Sequence, residues 1–199
     1  MDRHQWDERY RTDELIWSAK PNLFLVEEVA GMRPGRALDL ACGEGRNAVW
    51  LAEQGWQVTA VDFSVVGLKK AERLATQRAV ELSLVEADVA EWEVPAVSFD
   101  LVAVLYLHLP AGTRRRVLQR AASGLAPGGT LLVVGHDSTN LREGFGGPQD
   151  LTVLYSPEDV AGDLDGLEIE RAERVRRPVT TDGGEVDAID AIVRAVRRS

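Results

Sequence analysis

Three carboxylates and two glycines carry the chemistry legible in this chain. Gly43 and Gly45 belong to Asp39-Leu40-Ala41-Cys42-Gly43-Glu44-Gly45, at the end of the apolar run RALDLA (36–41). Asp62 closes the run QVTAVD (57–62), and Asp88 closes LSLVEAD (82–88). Glycines after a strand remove Cβ atoms, so that a ligand can approach the backbone at a helix N-terminus. Read as Gly43-x-Gly45-x-x-Ala48 with Asp62 about 20 residues on, the stretch fits a dinucleotide fingerprint. Read from Asp39, it fits a nucleoside-binding loop that holds no pyrophosphate. Three features favour the second reading. Asp39 repels a pyrophosphate but attracts an ammonium or a sulfonium. Asp88 and the amide of Val89 can read an adenine edge. A chain of 199 residues leaves little room for the second mononucleotide half that a nicotinamide enzyme usually needs. Asp62 can accept from both ribose hydroxyls under either reading. The balance points to S-adenosylmethionine as the ligand, with a nicotinamide-dependent oxidoreductase as the weaker alternative.

A second group of reactive side chains falls after later apolar runs. Tyr106 and His108 follow one, and His136-Asp137 follow another. His108, His136 and Asp137 are the candidate catalytic residues; the alternative reading is of polar groups that close the sheet edge. Tyr155 is either a site residue or a packing aromatic. Trp6 and Tyr10 are spaced i, i+4, on one face of a helix, with Trp17 beyond them. That segment reads either as a helix packed on the domain or as a lid that excludes water. Arg46 is either a solvated helix-start residue or an anchor for the lid or for the donor's carboxylate. Cys42 reads as a small buried residue of the turn rather than a nucleophile. The three histidines, with no cysteine pair, lack metal-ligand spacing, and no metal site is expected.

The elements that must position these residues alternate. After 36–41 comes a short helix (46–54), the strand 57–62, a helix (65–78) and the strand 82–88. Then follow a strand at 99–109, a helix at 112–125 and a strand at 129–137. Continuous apolar strands separated by helices imply parallel strands covered on both faces, joined by right-handed crossovers. The expected fold is an α/β doubly wound sheet whose ligands bind beyond the carboxyl ends of the strands. Asp39 to Gly45, Asp62, Asp88, Tyr106 to His108 and His136-Asp137 should therefore converge on one crevice. The glycine-rich stretch 138–160 is expected to be a loop over its mouth, ending in a short helix capped by Ser156 with Pro157 at its first position. VDAIDAIVRAVRR (186–198) suits a helix or a strand; pairing with 167–175 as an antiparallel hairpin makes it the seventh strand.

Bulk properties narrow the partners. The chain is 45% hydrophobic and 28% charged, ordinary for one globular domain spanning 1–199. A net charge of −9 argues against nucleic acid, because phosphates repel an acidic protein that lacks a basic patch. TRRRV (113–117) and RAERVRRP (171–178) are short and mixed, as solvated edges are. A lone cysteine forms no internal disulfide, the N-terminal MDRHQWDERY has no apolar signal core, and no apolar run reaches the ~18 residues of a membrane span. The expectation is a soluble cytoplasmic protein, monomer or homodimer, that acts on a small-molecule acceptor without nucleic-acid or membrane partners.

With these motifs in hand, the chain resembles the class I S-adenosylmethionine-dependent methyltransferases over about residues 15 to 197. The family's acidic-x-G-x-G-x-G motif stands here as Asp39 to Gly45 with Ala41 in the first glycine's place, a mild departure if Ala41 has negative φ. LAPGGTLLVV matches the family's entry to the fifth strand. The resemblance implies a Rossmann-like seven-stranded sheet, mostly parallel with an antiparallel C-terminal hairpin. It also implies donor contacts from Asp39, Ala41, Gly43, Gly45, Arg46, Asn47, Asp62, Phe63, Asp88, Val89, Leu105 and Trp17. GEGRNAVWLAEQGWQVTAVDFS, preceded by WDERYRTDELIW and PN, further resembles the tellurite-resistance and thiopurine-type branch of small-molecule methyltransferases. In that branch Gly45-Arg46-Asn47 follows the turn and an N-terminal aromatic segment, here 1–22, folds over the donor. Its members methylate soft nucleophiles such as sulfur, selenium or tellurium. A non-catalytic module that holds the nucleoside without turnover is the alternative of a different class.

Overall fold

The computed structural model describes residues 2–198. Its centre is one seven-stranded sheet: β1 (Arg36–Leu40), β2 (Gln57–Asp62), β3 (Ser83–Glu86), β4 (Phe99–Leu105), β5 (Leu125–His136), β6 (Glu168–Thr181) and β7 (Gly184–Val196), in the order β3-β2-β1-β4-β5-β7-β6. The first five strands pair in parallel, and β7 runs antiparallel between β5 and β6. Among the described residues seven helices accompany the sheet: α1 (Arg3–Tyr10), α2 (Leu23–Val29), α3 (Arg46–Glu53), α4 (Val65–Gln77), α5 (Ala111–Gly124), α6 (Asn140–Glu143) and α7 (Pro157–Asp163).

Alternation along β4 shows how the sheet is covered on both sides. Val102 and Val104 enter one core with Leu118, Tyr155 and Val160, whereas Leu101, Ala103 and Leu105 enter the other with Phe24, Ala48 and Leu51. Successive side chains of a strand face opposite sides, so a continuous apolar run is what a strand buried on both faces requires. The same reasoning settles residues 186–198. Ala188, Ile189, Ala191, Ile192, Val193 and Ala195 are all buried, alanines included, because β7 lies inside the sheet. The hairpin is longer than expected, with β6 running on to Thr181 through Pro178 at the outer edge of the sheet.

Helix starts follow the local sequence. Ser64 accepts from the Gly67 amide to cap α4, and Ser156 and Asp159 form a capping box at α7 with Pro157 in the first turn. Asp2 and Gln5 form another at α1. The fourth apolar run stops short of its expected end. Tyr106 adopts φ +57, which ends β4 at Leu105 and sends His108 into the connection to α5. Beyond β5, residues 138–160 hold the additional short helix α6 before α7.

Candidate active site

The turn after β1 is built on two registers of hydrogen bonds to β2. The Cys42 amide donates to the Val61 carbonyl (3.0 Å), and the Gly43 amide donates to Oδ2 of Asp62 (2.8 Å). Oδ1 of Asp62 accepts from the Ser64 amide (2.8 Å), so one carboxylate ties the glycine turn to the start of α4. Burial raises the Asp62 pKa, and the amides of Ser64 and Gly43 work against that rise. Ala41 has φ +60, contrary to the negative φ its sequence position allowed, in a conformation that costs an ordinary residue roughly 1–2 kcal/mol. The turn demands it because Cys42 must swing back to bond with β2.

The glycines answer needs other than those read from the sequence alone. Gly45, at φ +80, caps α3, and a Cβ there would fall 2.5 Å from Cβ of Ala71 in α4. At Gly43 a Cβ would meet the Tyr10 hydroxyl at 2.7 Å. Here the close approach to the turn is made by the protein's own α4 and α1.

Asp39 is fully buried in β1, with Oδ2 lacking a hydrogen-bond partner among the described residues. Burial, reinforced by the charge of Asp62, raises its pKa to about 7, against the pull of Arg46 and the Ala48 amide. Arg46, the first residue of α3, is largely buried among Tyr106, Asp39, Arg177 and Glu44; desolvation lowers its pKa. An arginine remains cationic all the same. Asp39 and Arg46 thus offer an unpaired acid and a cation side by side at the carboxyl end of β1. That pairing is complementary to an ammonium and a carboxylate on one ligand.

The N-terminal segment closes over this turn. Trp6 stacks on Tyr10 (5.3 Å between centroids), and Asp7 accepts from the Ser64 hydroxyl (2.5 Å) at the cap of α4. Tyr10 is buried, and its hydroxyl interacts with the Trp17 indole. Lys70, buried in α4, donates to Oε1 of Glu44 (2.9 Å), the Thr12 hydroxyl (3.1 Å) and the Glu14 carbonyl (2.6 Å). Glu44 in turn accepts from the amides of Ile16 and Trp17, both at 3.1 Å. Asn47 accepts from the Asn22 amide (2.8 Å), and Asn22 caps α2. Of the residues assigned to the donor, Asn47 and Trp17 are therefore engaged by this strap.

Across the sheet a second cluster forms on β4, β5, β6 and β7. Asp190 is fully buried; its Oδ2 accepts from the Tyr106 hydroxyl (2.7 Å) and from Nε of Arg177 (2.7 Å). The antiparallel register sets Asp190 directly opposite His136, with Nδ1 of His136 3.3 Å from Oδ1. Burial opposes ionisation of Asp190, but His136, Arg177 and Tyr106 together outweigh it and lower its pKa. His108 stacks between His136 (5.5 Å) and Tyr155 (5.7 Å), and burial, then His136, lower its pKa to about 4. It is neutral at physiological pH.

Asp137 departs from its neighbour. It points to the opposite face of the strand end, fully buried, where Oδ1 accepts from the Thr139 amide (2.8 Å) and hydroxyl (2.7 Å) and from Nε of Arg174 (2.8 Å). It fastens the turn into α6 and does not join His136. Asp88 is exposed and its Oδ1 accepts from the Ala90 amide (2.9 Å) in a turn, while the Val89 side chain is buried in the core. Phe63 is half-buried beside Asp62, and Leu105 is buried at the end of β4.

Sequence reasoning passed over Glu44, Lys70, Arg177 and Asp190. Asp190 did carry a signal, as an acid that interrupts the apolar run of its strand. Glu44 and Lys70 carried none, because their pairing spans a loop and a helix.

The strand order and the glycine turn after β1 define the Rossmann-like methyltransferase fold, with Asp39 in β1 and Asp62 at the end of β2, whereas β3 stops at Glu86, short of its expected end at Asp88. Residues 37–129 match the family model described as a methyltransferase domain. The demethylmenaquinone methyltransferase of Thermus thermophilus is 35% identical over 103 residues, 51% of this chain and 47% of that protein. The chain spans about half the length of the curated relatives it matches. Among solved structures, TehB from Haemophilus influenzae superposes with a TM-score of 0.75 at 16% identity, covering 98% of this chain and 67% of that one. The N-methyltransferase NodS of Bradyrhizobium japonicum, solved with S-adenosyl-L-homocysteine, superposes with a TM-score of 0.73 at 18% identity, covering 99% and 98%. At these identities the two structures establish the fold.

Proposed function

We propose that this protein is an S-adenosylmethionine-dependent methyltransferase whose acceptor is a small molecule with a soft nucleophilic atom, such as a thiol or a selenium or tellurium oxyanion. The observation that carries the donor assignment is the buried Asp39 with its unpartnered Oδ2 beside Arg46. An amino-acid moiety supplies the ammonium and carboxylate that satisfy both, and Asp62 at the end of β2 stands where a ribose is held. The match of residues 37–129 to a methyltransferase domain supports the activity, and NodS, solved with S-adenosyl-L-homocysteine, supports the cofactor. TehB supports the branch.

When bound, the donor supplies a methyl group on a positively charged sulfur. The chain's own contribution is alignment: Asp39 and Arg46 hold the amino-acid end, Asp62 the sugar, and the strap over Gly43 excludes water. Orientation of this kind is worth on the order of 7–11 kcal/mol in a displacement reaction.

Calorimetry tests the donor site. S-adenosylhomocysteine is expected to bind the wild type and to bind at least tenfold more weakly to Asp62→Ala; absence of binding to the wild type overturns the reading. The acceptor is then found by incubating the protein with labelled donor and, in parallel, a thiol, selenite, tellurite, a phenol and an amine. Label on the thiol or on an oxyanion supports the soft-nucleophile assignment; label on the amine alone overturns it. Donor binding without any transfer identifies a non-catalytic binding module.

A further inference from the structure

We propose that Asp190 is a positioning residue that holds His136 with its proton on Nδ1, leaving the Nε2 lone pair to take a proton from the acceptor. The inference rests on the methyltransferase reading and narrows its acceptor to one that must lose a proton, X–H. Nothing local in the sequence joins these residues. They meet because β7 enters the sheet antiparallel to β5, in a register that pairs His136 with Asp190.

The geometry favours one tautomer. Of the two imidazole nitrogens, Nδ1 is the one turned toward the carboxylate, 3.3 Å from Oδ1, just beyond ordinary hydrogen-bond length. Catalytic contacts commonly tighten only when the ligands are in place. Asp190 is itself immobilised: Arg177 and the Tyr106 hydroxyl occupy Oδ2, so Oδ1 is the oxygen left to face His136. Arg177 also donates to the Tyr106 hydroxyl (3.0 Å), which completes a triangle around that oxygen. A carboxylate held in this way directs the imidazole proton to the near nitrogen.

The loop after α6 lies against the His136 ring with Gly147, at φ +76, where a Cβ would fall 2.6 Å from Cδ2, 2.7 Å from Cγ and 2.9 Å from Nε2. A side chain there would displace the ring from Asp190. Tyr106 lies 5.1 Å from His136, ring centre to ring centre, and is also among the groups that act on Arg46, which links this cluster to the end of β1. The groups facing His136 are Asp190 from β7, Arg177 from β6 through Asp190, and Tyr106 and His108 from the connection after β4. Tyr155 stands behind His108.

In the step proposed, His136 Nε2 accepts the proton of X–H as the electron pair of X forms the bond to the methyl carbon. The carbon–sulfur pair returns to the donor sulfur, which leaves as a neutral thioether. The proton then passes from His136 to solvent. Arg177 keeps Asp190 a carboxylate throughout, so the imidazolium formed faces a negative charge.

Two measurements test this, and the first needs no acceptor. Nitrogen-15 NMR of the wild type is expected to show His136 as the Nδ1–H tautomer, and Asp190→Asn to lose that preference; the Nε2–H tautomer in the wild type overturns the proposal. The second uses the acceptor that takes label in the screen. His136→Gln is expected to lower turnover about a hundredfold or more and to remove the acid limb of the pH–rate profile. Asp190→Asn is expected to lower turnover about tenfold and to move that limb to lower pH, with S-adenosylhomocysteine affinity within twofold of the wild type. An acid limb unmoved by both variants overturns the proposal. If no acceptor is methylated, the functional reading fails while the NMR result still judges the arrangement of Asp190 and His136.

Discussion

At the scale of single residues, Asp39 concentrates the conflict between folding and ligand binding. Its carboxyl is fully buried with an oxygen that has no partner among the described residues, and its pKa stands at about 7 against an ordinary 3.8. A carboxyl whose pKa is raised by folding contributes stability in full below about pH 4, and that contribution is lost as pH rises through 7. The loss is on the order of 4 kcal/mol at ~1.4 kcal/mol per unit. Asp39→Asn is therefore expected to be more stable than the wild type at pH 8, and urea unfolding at pH 5 and pH 8 measures it. Under the proposed function binding runs the other way, because a ligand's ammonium is complementary to the ionised form. S-adenosylhomocysteine affinity is expected to rise between pH 6 and pH 8 in the wild type and to be weak and flat in Asp39→Asn; a flat profile in the wild type would falsify the link between this proton and the ligand. Asp39 and Asp62 were legible in the sequence because they bracket the glycine turn within one βαβ unit. Arg177 and Asp190 lie far along the chain from Tyr106 and His136, and only pairing of β7 with both neighbours brings them in.

At the scale of elements, the N-terminal strap depends on one buried ion pair. Lys70 and Glu44 are both almost wholly shielded from water, and between them they bind Thr12, Glu14, Ile16 and Trp17. Removing one partner of such a pair leaves a buried charge uncompensated, typically at a cost of 3–5 kcal/mol. Because these bonds converge on residues 12–17, the strap is expected to loosen before the sheet does. In Lys70→Met, hydrogen exchange at the Ile16 and Trp17 amides is expected to accelerate at least tenfold, while the β4 amides keep most of their protection. Equal acceleration in both places would show that the pair supports the whole domain instead. The aromatic spacing of Trp6 and Tyr10 pointed to α1 as an amphipathic piece, but not to its resting place. That was decided by Gly43 and Gly67, whose missing side chains admit the Tyr10 ring between the turn and α4.

At the scale of the whole molecule, the ligand and the fold are thermodynamically coupled. The glycine turn, the strap and the start of α4 all meet at the proposed donor site, so a ligand bound there stabilises the native state as a unit. At a concentration of one hundred times its Kd, S-adenosylhomocysteine is expected to add about 2.7 kcal/mol. In a chain of this size that corresponds to a rise in Tm of roughly 5–11 °C, read by calorimetry or fluorescence. NADH at the same molar concentration is expected to produce no such shift. The C-terminal hairpin is fastened to the rest through α2: Arg194 donates to the Glu28 carbonyl (2.6 Å), and both Arg171 and Arg194 pair with the Glu28 carboxylate. By itself the sequence determined the parallel half of the sheet and the placing of Asp39 and Asp62 at the carboxyl ends of β1 and β2. Those depend on local periodicity and on residues that a strand–turn–helix unit positions without outside help. The tertiary structure alone decided that Ala41 is left-handed, that Asp137 faces away from His136, that Glu44 and Lys70 hold the strap, and that Asp190 stands behind the imidazole. Each of these depends on which strands become neighbours and in what register, a choice made by burying the apolar faces of the central strands at once.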